Sequence, residues 1–248
     1  MIRRPDRRID LLQNLPEVGA RVRSAKRVCL FLDVSAEAVN DMHEPLSHLA
    51  ARDRFAVTLI DSCSLDELKR AAQLSPRVTY VGNDGLDIEG PGLRFTEQSA
   101  GQSREALKEI AGTLRSESRM MPGVRVHDRG LTLSVHTNGN HAEVSNLVGQ
   151  IVPPDDRTFL IEVGAHFVEV RPRVAWTKGL AAQWLVAASG TPDALPIYIS
   201  DDPRDEDAFA CMKAGITIQA GNSSQCFAQY RVADHAGVGA FLSWLAGR

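Results

Sequence analysis

The stretch RVCLFLDVSAEAV, residues 27–39, decides the fold. Val28 to Leu32 is a continuous apolar run of strand length, and a run without polar alternation belongs to a strand covered on both faces. Asp33 closes it. A carboxylate at the C-terminal mouth of a buried strand is either chemical in purpose or structural, through the N-cap preference of aspartate.

Outward from this strand, EPLSHLAARD (44–53) reads as a helix and FAVTLID (55–61) as a second buried strand. In SLDELKRAAQL (64–74), Ser64 and Glu67 have capping-box spacing at the head of a helix. VTYVGNDG (78–85) is a third strand that ends in turn residues. This alternation of strand and helix predicts a parallel sheet with helices on its faces. Upstream, residues 9–24 carry a helical pattern that Pro16 breaks or delays.

The middle of the chain has a different rhythm. A helix over Ser103 to Glu117 precedes two alternating strands, VRVHD (124–128) and LTLSVHT (131–137), joined through Arg129 and Gly130. A helix from His141 to Ile151 then precedes TFLIEVG (158–164) and HFVEVRP (166–172), so the order helix-strand-strand occurs twice. Hairpins this short need a helix on one face, which predicts a small α+β unit. After Pro172 the α/β pattern returns, with a helix from Lys178 to Ser189, the strands PIYIS (196–200) and ITIQAG (216–221), and helices over 206–215 and 237–247. The expected architecture is an α/β, Rossmann-like core with a parallel sheet, formed by residues 1–98 and 173–248, interrupted by an α+β cap at 99–172.

The 248 residues carry a net charge of -3, with 44% hydrophobic and 24% charged, which offers no electrostatic case for nucleic acid or an anionic membrane as a partner. No apolar run reaches bilayer-spanning length. MIRRPDRR (1–8) lacks the apolar segment of a targeting signal. Cys29, Cys63, Cys211 and Cys226 are scattered without CxxC or zinc spacing, so reduced thiols and a cytoplasmic location are expected. No feature points to a protein partner.

Ligands of doubly wound sheets sit at the carboxyl ends of the strands. Asp33, Asp61, Asp201 and Asp202 all follow strands, and Lys178 opens a helix after the cap. Carboxylates and an ammonium converging on one edge suit Mg²⁺ and phosphoryl chemistry, because Mg²⁺ takes hard oxygen ligands and lysine neutralises a phosphoryl oxygen.

LFLD (30–33), SLDEL (64–68), GNDGLDIEGPG (82–92), DRGLTLSVH (128–136), VEVRP (168–172), TKGLAAQWL (177–185) and YISDDPRDEDAF (198–209) occur in that order, and the chain closes with YRVAD and VGAFLSWLA. From about Val28 to Trp244 the chain thus resembles the trehalose-6-phosphate phosphatases of the haloacid dehalogenase (HAD) superfamily. The resemblance implies that Asp33 is a nucleophile forming an aspartyl phosphate, that Lys178 holds it and the phosphoryl group, and that trehalose 6-phosphate or a similar sugar phosphate is the ligand. It implies Mg²⁺ as cofactor, held by Asp33, Asp201 and the Ser35 carbonyl, with Asp202 and Asp205 supporting or coordinating. It also assigns Arg129, Glu169 and Arg171 of the cap to sugar contacts. From the residues alone, Glu169 and Arg171 read equally well as a cross-strand charge pair.

Several positions depart from the family pattern. Ser35 stands where the family has its acid/base aspartate, Ala36 and Glu37 replace Gly-Thr, and Asp61 replaces the phosphate-binding Ser or Thr. Ser200 replaces a Gly and Arg204 a Thr. A serine has no useful acidity near neutral pH, and the assistance it replaces is typically a factor of about 10² to 10⁴. The expected function is a divergent, catalytically impaired phosphatase-like protein that retains sugar-phosphate or Mg²⁺ binding. An active Mg²⁺-dependent phosphatase and a different chemistry at Asp33 are the alternatives. His127, His136 and His141 read as surface or hairpin residues, Trp176, Trp184 and Trp244 as packing, and the acids of 201–207 also suit a helix N-terminus.

Overall fold

A computed structural model of the chain describes residues 9–153, 155–202, 205–221 and 227–248, with Ala36 described by its backbone alone. The targeting reading of residues 1–8, the exchange at Arg204 and the thiol of Cys226 lie outside the described residues. The chain forms two compact units, one running to Phe95 and resuming over Trp176–Arg248, the other Thr96–Ala175.

The first unit opens with β1 (Ile9–Asp10), α1 (Leu15–Ser24), β2 (Val28–Asp33), α2 (Ala36–Asn40), α3 (His43–Ala50), β3 (Phe55–Ile60), α4 (Leu65–Ala72) and β4 (Thr79–Gly82). A 3₁₀ turn at Asn83–Gly85 leads to β5 (Asp87–Gly90) and β6 (Leu93–Thr96). The second unit holds α5 (Gln98–Gln102), α6 (Arg104–Glu117), β7 (Arg125–Asp128), β8 (Leu133–His136), α7 (His141–Ile151), β9 (Phe159–Val163) and β10 (Phe167–Pro172). The first unit then resumes with α8 (Lys178–Ala188), β11 (Leu195–Ser200), α9 (Glu206–Cys211), β12 (Ile216–Ala220), β13 (Tyr230–Val232) and α10 (His235–Ala246).

The large sheet runs β1-β13-β12-β11-β2-β3-β4-β5-β6. β2 lies at its centre, parallel to β11 on one side and β3 on the other. The chain leaves β2 in one direction and returns beside it from the other, which makes the carboxyl end of β2 a topological switch point. Successive side chains of a strand face opposite ways. Val28, Leu30 and Leu32 accordingly join a core with α1, α3 and α10, while Cys29 and Phe31 join a second core with α8 and α9. The same alternation turns Asp33 toward α8.

The helix expected over 9–24 is corrected at its start. Ile9 and Asp10 form a strand parallel to Tyr230 and Arg231, and the helix begins at Leu15. Asp10 Oδ1 accepts from the N–H groups of Leu12 and Gln13 at 3.0 and 3.3 Å, which turns the chain between the two elements. Pro16 falls in the first helical turn, where its missing N–H has no intrahelical partner to lose. α2, β5, β6 and β13 add to the expected elements, and the helix expected over 206–215 ends at Cys211. The Ser64–Glu67 capping box is present in both directions.

In the second unit, β7-β8-β10-β9 form an antiparallel sheet. Leu107, Ala111 and Leu114 of α6 and Val144 and Val148 of α7 pack on Leu133, Val135, Val168 and Val170. Among the described residues no helix is long and apolar enough to cross a membrane.

Candidate active site

Lys178 enters the site because Thr177 starts α8 there, its hydroxyl accepting from Leu180 N. The ammonium lies 3.0 Å from Asp33 Oδ2, 3.1 Å from Asp205 Oδ1, 3.6 Å from Asp84 Oδ1 and 3.9 Å from Asp202 Oδ2. Asp33, Asp84, Asp205 and Lys178 are all buried. Tyr198, fully buried on β11, donates its phenol to Asp33 Oδ2 at 2.8 Å.

One ammonium among four carboxylates leaves excess negative charge. Burial pushes the Asp33 carboxyl well above the usual carboxylate range; the Lys178 charge opposes this and Asp205 adds to it. For Lys178, burial disfavours the ammonium, but Asp33, Asp84, Asp205 and Asp202 outweigh it and hold the group well above an ordinary lysine. Tyr198 is held well above an ordinary phenol, first by burial and then by the Asp33 and Asp205 charges, so it remains a donor.

The loop after β11 is organised by Ser200. Its hydroxyl donates to Asp205 Oδ2 at 2.6 Å and accepts from Asp202 N at 3.0 Å. Ser200 thus orients the carboxylate that meets Lys178. Asp201 faces elsewhere in this loop, with Oδ2 2.7 Å from Nε2 of His235 at the head of α10.

Asp84 arrives through an unusual turn. Asn83, Asp84 and Gly85 have φ of 51°, 55° and 100°, the left-handed region that Asn, Asp and Gly tolerate best. At Gly85 a Cβ would stand 3.1 Å from Lys178 N, so glycine also permits the close approach of the turn to α8. Trp176 Nε1 donates to Gly85 O at 2.8 Å and fastens the turn.

Ser35 and Asp61 face their own backbone. Ser35 Oγ accepts from Ala38 N at 3.4 Å as the N-cap of α2, and its carbonyl accepts from Ala38 N and Val39 N at 2.9 and 3.3 Å. Asp61 Oδ1 accepts from Cys63 N at 2.9 Å and from Ser62 Oγ at 3.4 Å, forming an Asx-type turn before α4. Glu37 is exposed.

In the cap unit, Arg171 pairs with Glu162 at 3.2 Å across β9 and β10, and Arg129 lies 3.6 Å from the buried Glu169. Arg171 and Glu169, on the same strand, thus hold separate charge partners. His127 and His136 meet edge to face at 4.9 Å. Burial, with the neighbouring His127 and Arg129 charges, lowers the His136 pKa.

The sequence pattern nominated Asp33, Asp202 and Lys178, and the resemblance added Asp205; these four meet. The pattern nominated Asp61 and Asp201 as well, which bond Cys63 and His235. Asp84, Tyr198 and His235 were missed. The NDG turn at a strand end carried a signal for Asp84; His235 carried none. Among the described residues no cluster of three or more Asp, Glu, His or Cys forms a metal cage by itself. Mg²⁺ commonly uses one or two carboxylates and keeps several waters, so an all-oxygen set with surplus negative charge fits it in chemistry. The Ser35 carbonyl, occupied by two N–H groups, fits it less well.

A mostly parallel sheet with a buried aspartate at the end of its central strand, a lysine at the head of α8, acids after β11 and an inserted α+β unit define the HAD class of fold. Among solved structures, the C-terminal domain of Candida albicans trehalose-6-phosphate phosphatase shares it at TM-score 0.77 and 15% identity, covering 97% of this chain and 98% of that one. The trehalose-phosphatase profile matches residues 33–236, and the chain belongs to that family. Trehalose-phosphate phosphatase B of Arabidopsis thaliana is 26% identical over 76% of this chain and 57% of its own length. Trehalose-phosphate phosphatase of Mycobacterium tuberculosis is 31% identical over 67% of this chain and 43% of its own. The matched region therefore spans about half the length of these two relatives.

Proposed function

We propose that this family member binds a phosphorylated sugar, trehalose 6-phosphate being the first candidate from the names of its relatives, and turns it over poorly. The observation that carries this reading is Ser35, whose hydroxyl caps α2 where general acid-base chemistry needs a carboxyl group. Asp61 supports it, because an ionised carboxylate committed to a turn cannot donate to a phosphoryl oxygen. Asp33 remains equipped for attack on phosphorus: buried, and held at Oδ2 by Tyr198 and Lys178. Mg²⁺, when bound, would supply the positive charge that a phosphoryl group needs, and Asp33 and Asp202, which meet at Lys178, are the residues that would hold it.

The test is phosphate release from trehalose 6-phosphate with Mg²⁺ in the wild-type chain, Ser35→Asp/Asp61→Ser and Asp33→Asn, alongside calorimetric binding. Wild type is expected to bind the sugar phosphate, and the double variant to gain turnover by about 10² to 10⁴. Wild-type turnover equal to that of the double variant, and lost in Asp33→Asn, would establish an active phosphatase instead. The intact Lys178 array favours that second reading; the two departing loops favour the first.

A further inference from the structure

At the opposite end of β2 from Asp33 lies a cavity of roughly 560 Å³. Its floor is the amino-terminal part of the sheet, Cys29 and Phe31 on β2 with Ala56 and Thr58 on β3, and the last turn of α8 forms one wall. Six residue steps of about 3.3 Å separate Arg27 from Asp33, so the charged end of the cavity is roughly 20 Å from the phosphoryl chemistry, while Phe31 closes its inner end. Its volume is that of a small-molecule pocket.

Three charged residues line it, Arg27, Asp53 and Arg77. Arg77 and Asp53 form an ion pair with each other at the exposed rim, with side-chain exposures of 52% and 94%, and Arg77 also donates to Ala51 O. Arg27 supplies the remaining positive charge, and its Nε is buried without a hydrogen-bond partner. A buried donor left unmatched carries the full cost of its lost hydration, which a ligand acceptor would remove. The Cys29 thiol adds no negative charge, since burial raises its pKa. The rest of the lining sets an apolar surface from Phe31, Phe55, Leu93 and Leu185 beside the neutral hydroxyl residues Thr58, Thr79 and Ser189, none of which carries charge.

We infer that this cavity is a second ligand site, independent of Asp33, that takes a small carboxylate with an apolar body, the carboxylate on Arg27 and the body on Phe31, Phe55 and Leu185. One unpaired cation matches a monoanion better than a phosphate dianion. Such a ligand leaves the carboxyl end of the sheet open, so both sites can be filled together.

Benzoate titrated into the full chain, followed by calorimetry and by the Arg27 Nε–H resonance, tests this. Saturable binding that moves that resonance is expected, weakened about tenfold or more in Arg27→Gln and for the neutral benzamide. Ala188→Trp, which adds bulk from an exposed position of the α8 wall, should abolish it while the far-ultraviolet circular dichroism stays unchanged. Asp33→Asn should leave it untouched, which separates this site from the sugar-phosphate reading. Absence of saturable binding, equal affinity for benzamide, or an undiminished affinity in Arg27→Gln would overturn the proposal. Phenyl phosphate binding more tightly than benzoate would overturn the monoanion assignment.

Discussion

Around Lys178, carboxylates from three separate loops converge within 3.9 Å of a single ammonium, and Ser200 and Tyr198 hold them there. Around Ser35 and Asp61, at the ends of two adjacent strands of the same sheet, each side chain accepts from an N–H two or three residues onward. The difference is one of physical constraint. A buried charge requires partners brought by tertiary structure, and removing one exposes the rest to an uncompensated field. A polar side chain at a helix start needs only the N–H groups that every helix leaves unpaired, so it has a structural use with or without a chemical one.

The contrast is broken most directly at its centre. Lys178→Met should cost about 3–5 kcal/mol in urea unfolding at neutral pH, as removal of one partner from a buried ion pair does. A loss under about 1 kcal/mol would show that the array is solvated and that the contrast is false. Tyr198→Phe keeps the ring packed against Phe31 and Phe209 but removes a donor to a carboxylate. About 1.5–3 kcal/mol should be lost by the same measurement, the range for a hydrogen bond to a charged group.

Asp33→Asn should act in the opposite direction. The native carboxyl has its pKa raised by burial. From the unfolded value near 3.9 upward, the native state therefore binds more protons than the unfolded state, and stability falls as pH rises through that window. Replacing Asp33 removes this loss. In metal-free buffer near pH 7.5, calorimetry should show Tm higher by about 2–4 °C, for about 1 kcal/mol in a chain of this size. Below about pH 3.5, where both states are protonated, the gain should vanish. A gain that persists in acid would assign it to packing. The smallest effect is expected at Ser35→Ala: about 0.5–1 kcal/mol from the weakened cap, with phosphate release unchanged. A fall in phosphate release would show that the hydroxyl takes part in the chemistry.

Much of the fold was legible because its signals are local. Val28 to Leu32 and the run beginning at Phe55 announce doubly covered strands, and Ser64 with Glu67 announces a helix head. The double helix-strand-strand order marks the inserted unit. What escaped were short pieces whose pairing is remote. Ile9 and Asp10 become strand because Tyr230 and Arg231 lie alongside them, more than two hundred residues later in the chain. Two residues carry no periodicity, so no pattern precedes that pairing.

The candidate site divides similarly. Asp33, Asp202 and Lys178 declared themselves as acids after strands and a lysine opening a helix, and Asp205 came with the family resemblance. Asp84 was hidden in a turn that reads only as a turn, and Tyr198 in a strand that reads only as core. Register decides the latter: Tyr198 lies beside Phe31 and Ser200 beside Asp33, so the phenol reaches the carboxylate from the neighbouring strand. Asp201 and Asp61 looked the same as the others in sequence and have other partners, His235 and the Cys63 N–H.

The sequence by itself determined the class of fold, the helix-strand-strand unit within it and the family resemblance, because periodicity, strand ends and residue identity are properties of neighbours along the chain. Tertiary structure alone decided which carboxylates share Lys178, which serve as caps, and that Arg27 Nε is buried without a hydrogen-bond partner at the far end of β2. Those outcomes depend on strand register and on which groups are buried together, and burial makes a charge depend on neighbours that are distant in sequence.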